Sequence, residues 1–481
     1  MIYADNSLLP TKDHQIEQVD NNAVLSHEPS TFYRRSRSYG VNPQYDPPAY
    51  VRNLSQTGID AFGDLYWLDA GLDHRTRFEF RNNDIRRPQI TNDYPILFRS
   101  RAYLGVREIL DPLRLAVEFQ DSRRYDSKFP KDNRDWDEYD LLQAYGELYF
   151  KDALGQDSLG NSRPIRIRGG RMIWEVADRH LLTRNGWRNT TNNFEGFRIT
   201  LGQKSNDWEL DAWGVHPVIR LIDKFDQRDK NQWFYGAVVN WRRWSDIITL
   251  QPYYMGLIQD DSHGIRARRE IHSPAIRAYG ILPNTEMDFD IDVIRQFGRD
   301  DGQRKSAWAY LLEFGYTFPR HAWKPRISAF YGYVSGDRNP SDNANNRFEK
   351  FFGSARSWSA DDNIVMENVK GPKIKIEFQP LPDLRVDGGY NWFWLASKTD
   401  RFNNLFGGKN NRDPSGNSGN FLGHSVDIRA RYRLTPYVNT TIGYSHWFNG
   451  EFVKNRQLAV LGKTTDSTNL FYTEISISVF K

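Results

Sequence analysis

Between Ser425 and Leu434 the chain reads Ser-Val-Asp-Ile-Arg-Ala-Arg-Tyr-Arg-Leu. Arg429, Arg431 and Arg433 alternate with Val426, Ile428, Ala430, Tyr432 and Leu434. A period of two sets these groups on opposite faces of a strand. One face then carries a ladder of guanidinium forks, which match carboxylates two bonds at a time. The motif recurs in Arg75 and Arg77, Arg99 and Arg101, Arg166 and Arg168, and Lys373 and Lys375. Arg114, Arg198, Arg277, Arg326 and Arg385 are single members of the same polar set. Carboxylates share it, as in Asp288, Asp290 and Asp292, and they concentrate between Trp208 and Glu313. Rings of Arg and Lys select anions in pores, so this pattern suits guiding an anionic solute. The plainer alternative is a network of arginines and carboxylates that braces the wall of a wide barrel.

Other chemistry finds little support. There is no Cys, so thiolate catalysis and cysteine metal sites are excluded. His180, His216, His272 and His446 are scattered without metal-ligand spacing. The Asp/Asn-rich loops Asp337–Asn346 and Asn404–Gly419 offer oxygen ligands for Ca²⁺, but neither follows an EF-hand pattern. Solvated loops are the stronger reading, and no other cofactor is expected. No Ser-His-Asp or paired-carboxylate arrangement stands out, so an enzyme is not expected. The net charge of +4, without a basic tail, does not argue for nucleic acid.

The elements that must position the charged ladder are strands. Alternation continues from Asp64 to the end of the chain, as in Leu113, Leu115, Val117 and Phe119 against Arg114, Glu118 and Gln120. The middle, Trp233 to Trp241, Ile247 to Ile258 and Ala275 to Ile281, is less regular. About eighteen strands are expected, an even number as in bacterial single-chain barrels. Connections alternate in length. Long ones include Asn82–Asp93, Ser122–Asp137, Trp174–Asn193, Pro217–Lys230, Gly336–Asn363, Lys398–Asn420 and Asn449–Thr468. Short ones include Arg107–Pro112, Gly202–Asn206, Arg243–Asp246, Leu282–Glu286, Arg320–Lys324, Gln379–Asp383 and Thr435–Pro436. Sandwiches and propellers have no reason to sort loops by side. The expected fold is all-β: one antiparallel transmembrane β-barrel with short periplasmic turns and long extracellular loops.

Composition agrees. Aromatics reach 14%, enough for two interfacial girdles. No run approaches the ~20 apolar residues of a membrane helix. An Arg or Lys facing lipid at midplane costs ~2–4 kcal/mol, so the apolar face must be outside and the charged face in a wet lumen. Residues 61–481 form the barrel in this reading. Residues 1–60 form an irregular segment outside or just inside its mouth, with Pro47-Pro48 and the basic aromatic patch Phe32-Tyr33-Arg34-Arg35-Ser36-Arg37. Met1-Ile2-Tyr3-Ala4-Asp5 lacks the basic and apolar regions of a signal peptide, which suits a mature form with a start Met added.

A family resemblance enters with particular motifs. They are Arg168-Gly169-Gly170-Arg171 with Trp174-Glu175, and Trp187-Arg188-Asn189-Thr190-Thr191-Asn192-Asn193-Phe194-Glu195-Gly196-Phe197-Arg198. Further ones are Gly336-Asp337-Arg338-Asn339-Pro340, Asn346-Arg347-Phe348, Phe352-Gly353, Arg356-Ser357-Trp358-Ser359 and Phe448-Asn449-Gly450-Glu451-Phe452. As a set these resemble the bacterial alginate export porins from about residue 60 onward. The resemblance implies an outer-membrane barrel that passes an anionic polysaccharide or oligosaccharide by diffusion through an arginine-lined constriction. It adds Arg171 to the conduit set and supports Arg429 and Arg431. It implies outer-membrane lipid and lipopolysaccharide as surroundings and periplasmic secretion proteins as candidate partners. It also implies a long late periplasmic turn that plugs the barrel. Here the matching turn, Thr435–Pro436, is minimal, which moves any gating to Ser122–Asp137, Trp174–Asn193 or Gly336–Asn363.

Overall fold

The computed structural model describes residues 31–33, 46–261, 268–354, 358–359, 362–406, 408 and 411–480. Its wall is built from β1 (Leu68–Asn82), β2 (Ile96–Val106), β3 (Leu113–Tyr125), β4 (Asp137–Phe150), β5 (Ile165–Met172) and β6 (Phe194–Gly202). It continues through β7 (Trp208–Ile219), β8 (Gln232–Trp241), β9 (Ile248–Gln259), β10 (Arg269–Leu282), β11 (Met287–Asp300) and β12 (Gln303–Thr317). It ends with β13 (Arg326–Val334), β14 (Val369–Leu381), β15 (Leu384–Trp394), β16 (Phe421–Arg433), β17 (Val438–Asn449) and β18 (Ser467–Val479). Each strand pairs antiparallel with the next, and β18 returns to β1, with Leu72 opposite Val479 and Asn82 opposite Asn469. This is the expected eighteen-stranded barrel, closed so that no edge is left.

The two faces sort as the alternation requires. On β16, Val426, Ile428 and Tyr432 are exposed while Ser425 and Asp427 are buried. On β11, Met287 is exposed while Asp288, Asp290 and Asp292 are buried. Outward aromatics form two belts. One includes Trp233 against His216, His272 against Phe297, and Phe448 against His424. The other includes Trp241 with Trp244, Tyr316 with Phe318, and Trp323 with Phe378.

Loop lengths alternate by side, with two exceptions. On the long-loop side, β11 and β12 join through Asp301-Gly302 alone. Both residues have positive φ, 53° and 79°, the backbone that an Asp-Gly hairpin turn takes readily. On the short-turn side, residues 151–164 form a longer connection knotted around Asp157. Its carboxylate accepts the Leu159 and Asn161 N–H groups at 2.9 and 3.0 Å and the Asn206 amide at 2.7 Å. The expected loop Asn449–Thr468 instead holds a helix, α1 (Glu451–Leu461), which stops at Gly462 with φ 67°.

The structure lengthens a strand of the less regular middle: β10 starts at Arg269 rather than Ala275, and β12 likewise reaches up to Gln303. In these upper halves the inward residues Ile271, Ala307, Ala309 and Leu311 are themselves apolar and buried, so the polar alternation vanishes. The N-terminal segment also has a definite place. Arg52 and Asn53 pair with Ala70 and Asp69, and Tyr50 packs where a Cβ on Gly71 would stand. Gly71 faces inward, so residues 46–53 lie inside the short-turn half of the lumen. The patch Arg34–Arg37 lies outside the described residues.

The sorting of faces has a measurable consequence. Ile428→Arg should destabilise the barrel by ~2–4 kcal/mol in urea titrations of folding into lipid vesicles. Ile428→Val should cost no more than about 1.5 kcal/mol.

Candidate functional site

The lumen is not an open tube, because two long loops fold into it. The first, residues 173–193, leaves β5 and crosses to β1, β2 and β3. Arg75 donates to the Gly186 and Arg188 carbonyls at 3.0 Å each. Arg77 donates to the Trp187 carbonyl at 2.6 Å and lies 4.2 Å over the Trp187 ring, whose edge meets Tyr472 at 4.8 Å. The fully buried Asn189 places its amide nitrogen within 3.1 Å of the Phe98, Arg123 and Asp135 carbonyls. At the loop's other end His180 Nδ1 bonds Asp292 Oδ2 at 2.6 Å on β11.

The second loop, residues 335–368, meets the first inside the barrel. The Phe352 N–H donates to the Leu181 carbonyl at 3.1 Å, and the Thr183 N–H to the Phe352 carbonyl at 3.2 Å. Phe352 packs edge-on against the wall residues Phe194 and Phe234, 5.0 Å from each. Such pairs add ~0.5–1.5 kcal/mol beyond burial alone. A Cβ on Gly353 would stand 1.8 Å from the His180 carbonyl oxygen, so only glycine allows this approach. Trp358 lies on Gly332 of β13, with its ring 5.3 Å from Phe330.

The candidate bases separate into groups. Arg75, Arg77, Arg99 and Arg101 face inward and grip the first loop. Arg99 reaches the Gly186 carbonyl at 3.4 Å, and Arg101 bonds Gln120 at 2.9 Å and the Thr191 hydroxyl. Arg168 pairs with Glu147 at 2.7 Å and with Asp46 at 2.8 Å, and Arg198 pairs with Asp211 at 2.8 Å. Burial alone would raise the Asp46 carboxyl. Arg168, Arg198 and Arg166 outweigh it and hold the group below the usual carboxylate range. Asp46 thus brings a carboxylate from the N-terminal segment into a three-arginine pocket.

A third group clusters on β14 to β16. Lys375 and Arg385 bond Glu377 at 2.7 and 2.9 Å, Arg429 and Arg431 bond Asp387 at 3.1 and 2.9 Å, and Arg433 pairs with Asp383. Lys373 lies beside them, its ammonium 3.4 Å from the Trp358 carbonyl. Arg385, Arg429, Arg431 and Arg433 keep 15%, 20%, 16% and 26% of their side chains exposed, against 3% and 2% for Arg75 and Arg77. The later arginines therefore still line accessible lumen, whereas the early ones are spent on the loop. Register joins the groups across the closure: one cross-strand row runs Arg385, Arg431, Thr441, Glu474, Arg77.

Arg171 stands apart. Met172 and Arg168 face inward, so Arg171 takes the outward parity, where it bonds Glu195 at 3.3 Å and the Asp226 carbonyl at 3.0 Å. The acid-rich wall is answered internally: Arg326 bonds Asp288, Glu313 and Glu377, and Arg277 bonds Asp290. In the two Asp/Asn-rich loops, Asp337 pairs with Arg412 at 3.0 Å, and Asp413 accepts the Ser415 and Ser418 N–H groups. Sequence reasoning had no way to assign His180, Asn189 or Asp46, whose partners lie 54 to 122 positions away along the chain. Asn189 and Gly353 do fall within the family motifs, which was the available signal.

A closed antiparallel barrel with an apolar outer face, aromatic belts and a charged, loop-filled lumen is an outer-membrane porin. Residues 66–465 match the family described as alginate export, and the chain belongs to that family. No curated protein matches it by sequence. Among solved structures it is similar to OccK8 (OprE) of Pseudomonas aeruginosa, with TM-score 0.55 and 14% identity over 86% of this chain and 98% of that one. OprD, from the same organism, gives TM-score 0.52 and 13% identity over 85% and 94%. These likenesses concern the fold. Fold and family together place the protein in the bacterial outer membrane, with its long loops extracellular.

The His180 anchor gives the lumen a pH dependence. Burial disfavours the imidazolium, but the bond to Asp292 and the nearby Asp178 outweigh it and raise the His180 pKa. The charged anchor is then complete below the ordinary imidazole value of 6.5 and is lost as pH rises through the higher folded-state value. Planar-bilayer conductance should rise over that interval in the native protein and stay flat in His180→Gln.

Proposed function

We propose that this porin lets an anionic polysaccharide or oligosaccharide of the alginate type diffuse passively, with anion selectivity, along its arginine-lined lumen. The observation that carries this reading is the cluster of Arg385, Arg429, Arg431 and Arg433 on β15 and β16, each paired with a carboxylate yet still partly exposed to the lumen. A polymer bearing carboxylates at intervals can pass from fork to fork along such a wall. Conduction needs sites that bind and release. Asp387 and Glu377 moderate the arginines, so no single site holds a carboxylate too tightly. Periplasmic secretion proteins are the partners this reading assigns to delivery of the solute, and lipopolysaccharide surrounds the outer belt.

A second reading, a general or structural barrel without polysaccharide specificity, is favoured by the aromatic packing that fills the lumen around Phe194, Phe234 and Phe352. Reversal potentials in a salt gradient separate the two. The native barrel should be anion-selective, Arg429→Ala with Arg431→Ala should weaken that preference severalfold, and oligouronates should block the current. A cation-selective native channel would overturn the proposal, and absence of conductance at any voltage would favour the second reading.

A further inference from the structure

Three carboxylates meet where the extracellular loop 220–231 folds over the upper end of β4. Asp137 and Asp140 belong to β4 and Asp226 to the loop. All three are buried, and one oxygen of each lies within 4.8 Å of the others. At this height β5 has ended, and the loop takes its place along β4. The Glu138 N–H donates to the Ile222 carbonyl at 3.2 Å, and the Asp226 N–H to Asp140 Oδ1 at 3.1 Å. The Leu221 N–H donates to Asp226 Oδ1 at 2.7 Å.

The Asp137 carboxylate is directed into this group, yet the residue is only 2% exposed and no donor among the described residues reaches its Oδ1. A buried carboxylate oxygen without a donor is costly, and two like charges beside it increase the cost. The nearby cations are committed elsewhere. Arg171 stands 3.9 Å from Asp140 Oδ1 but also serves Glu195. The Arg220 guanidinium bonds the Asn133 and Thr191 carbonyls and Asn192 Oδ1.

We infer that Asp137, Asp140 and Asp226 form a binding site for a divalent cation, Ca²⁺ by its chemistry. The ligands are all oxygen, with no His or Cys, which selects a hard cation. Two segments distant in the chain converge on the site, as an ion-clamped loop requires. Bound there, the ion ties the 220–231 loop to β4. Through Arg220, bonded at 3.2 and 2.8 Å to Thr191 and Asn192, it also steadies the end of the loop inside the lumen. Extracellular Ca²⁺ sites work at ~10⁻⁴–10⁻³ M, the range expected for a porin's outer rim.

The test uses the full-length barrel refolded in detergent without lipopolysaccharide, stripped with EDTA and titrated with CaCl₂ by calorimetry. One Ca²⁺ should bind per chain, and affinity should fall at least about tenfold in Asp137→Asn and in Asp226→Asn. In the native protein Ca²⁺ should slow trypsin cleavage at Lys224 and Lys230 in the loop. Absence of stoichiometric binding, binding unchanged in both variants, or cleavage indifferent to Ca²⁺ would each overturn the inference.

Discussion

No backbone N–H or C=O can be left unpaired in hydrocarbon, and the rest of this structure depends on that constraint. A sheet meets it only by closing, so β18 must find β1. Closure divides every strand into a face for lipid and a face for the interior. The charges carried by alternate residues then have one place to go. Arg429 and Arg431 are inside because Val426, Ile428 and Tyr432 are needed outside. The interior chemistry is the complement of the lipid requirement.

An interior this wide and this charged still has to be occupied. Part of it is filled from above, by loops whose aromatic residues meet apolar patches on β6 and β8 and whose carbonyls meet arginines on β1. Arginine plays two physical roles here. Where a guanidinium finds backbone carbonyls, as Arg75 and Arg77 do, it acts as a rivet and is lost to solvent. Where it finds a carboxylate and stays partly exposed, as Arg429 and Arg431 do, it remains available to a passing anion. Residue type alone does not separate these roles; the course of residues 173–193 does.

This division explains what could be read from the sequence. The direction of each face follows from short-range alternation and was legible in stretches such as Leu113–Gln120 or Ser425–Leu434, while strand number and the sorting of loops were legible from that alternation repeated along the chain. Legibility failed where the inward face is apolar because a loop packs on it, as at Ile271 and Ala307. There the alternation that marks a half-wet strand disappears. The site was legible as a set of arginines but not as an arrangement. The contacts of Asn189, His180 and Asp46 join positions far apart in the chain, and no local pattern announces them. Arg171 misleads for a simpler reason: three positions from Arg168 it has the opposite parity, which a motif does not express.

The first internal loop touches both strands of the closure. Trp187 lies between Arg77 of β1 and Tyr472 of β18. The two ends of the wall are therefore joined twice, by the hydrogen-bonded ladder and by a buckle fastened from within. That buckle has a complete seat only after the last strand has arrived. Assembly thus acquires a constraint: the cylinder must shut before this loop can settle fully, and the settled loop then resists the reopening of the seam between β1 and β18.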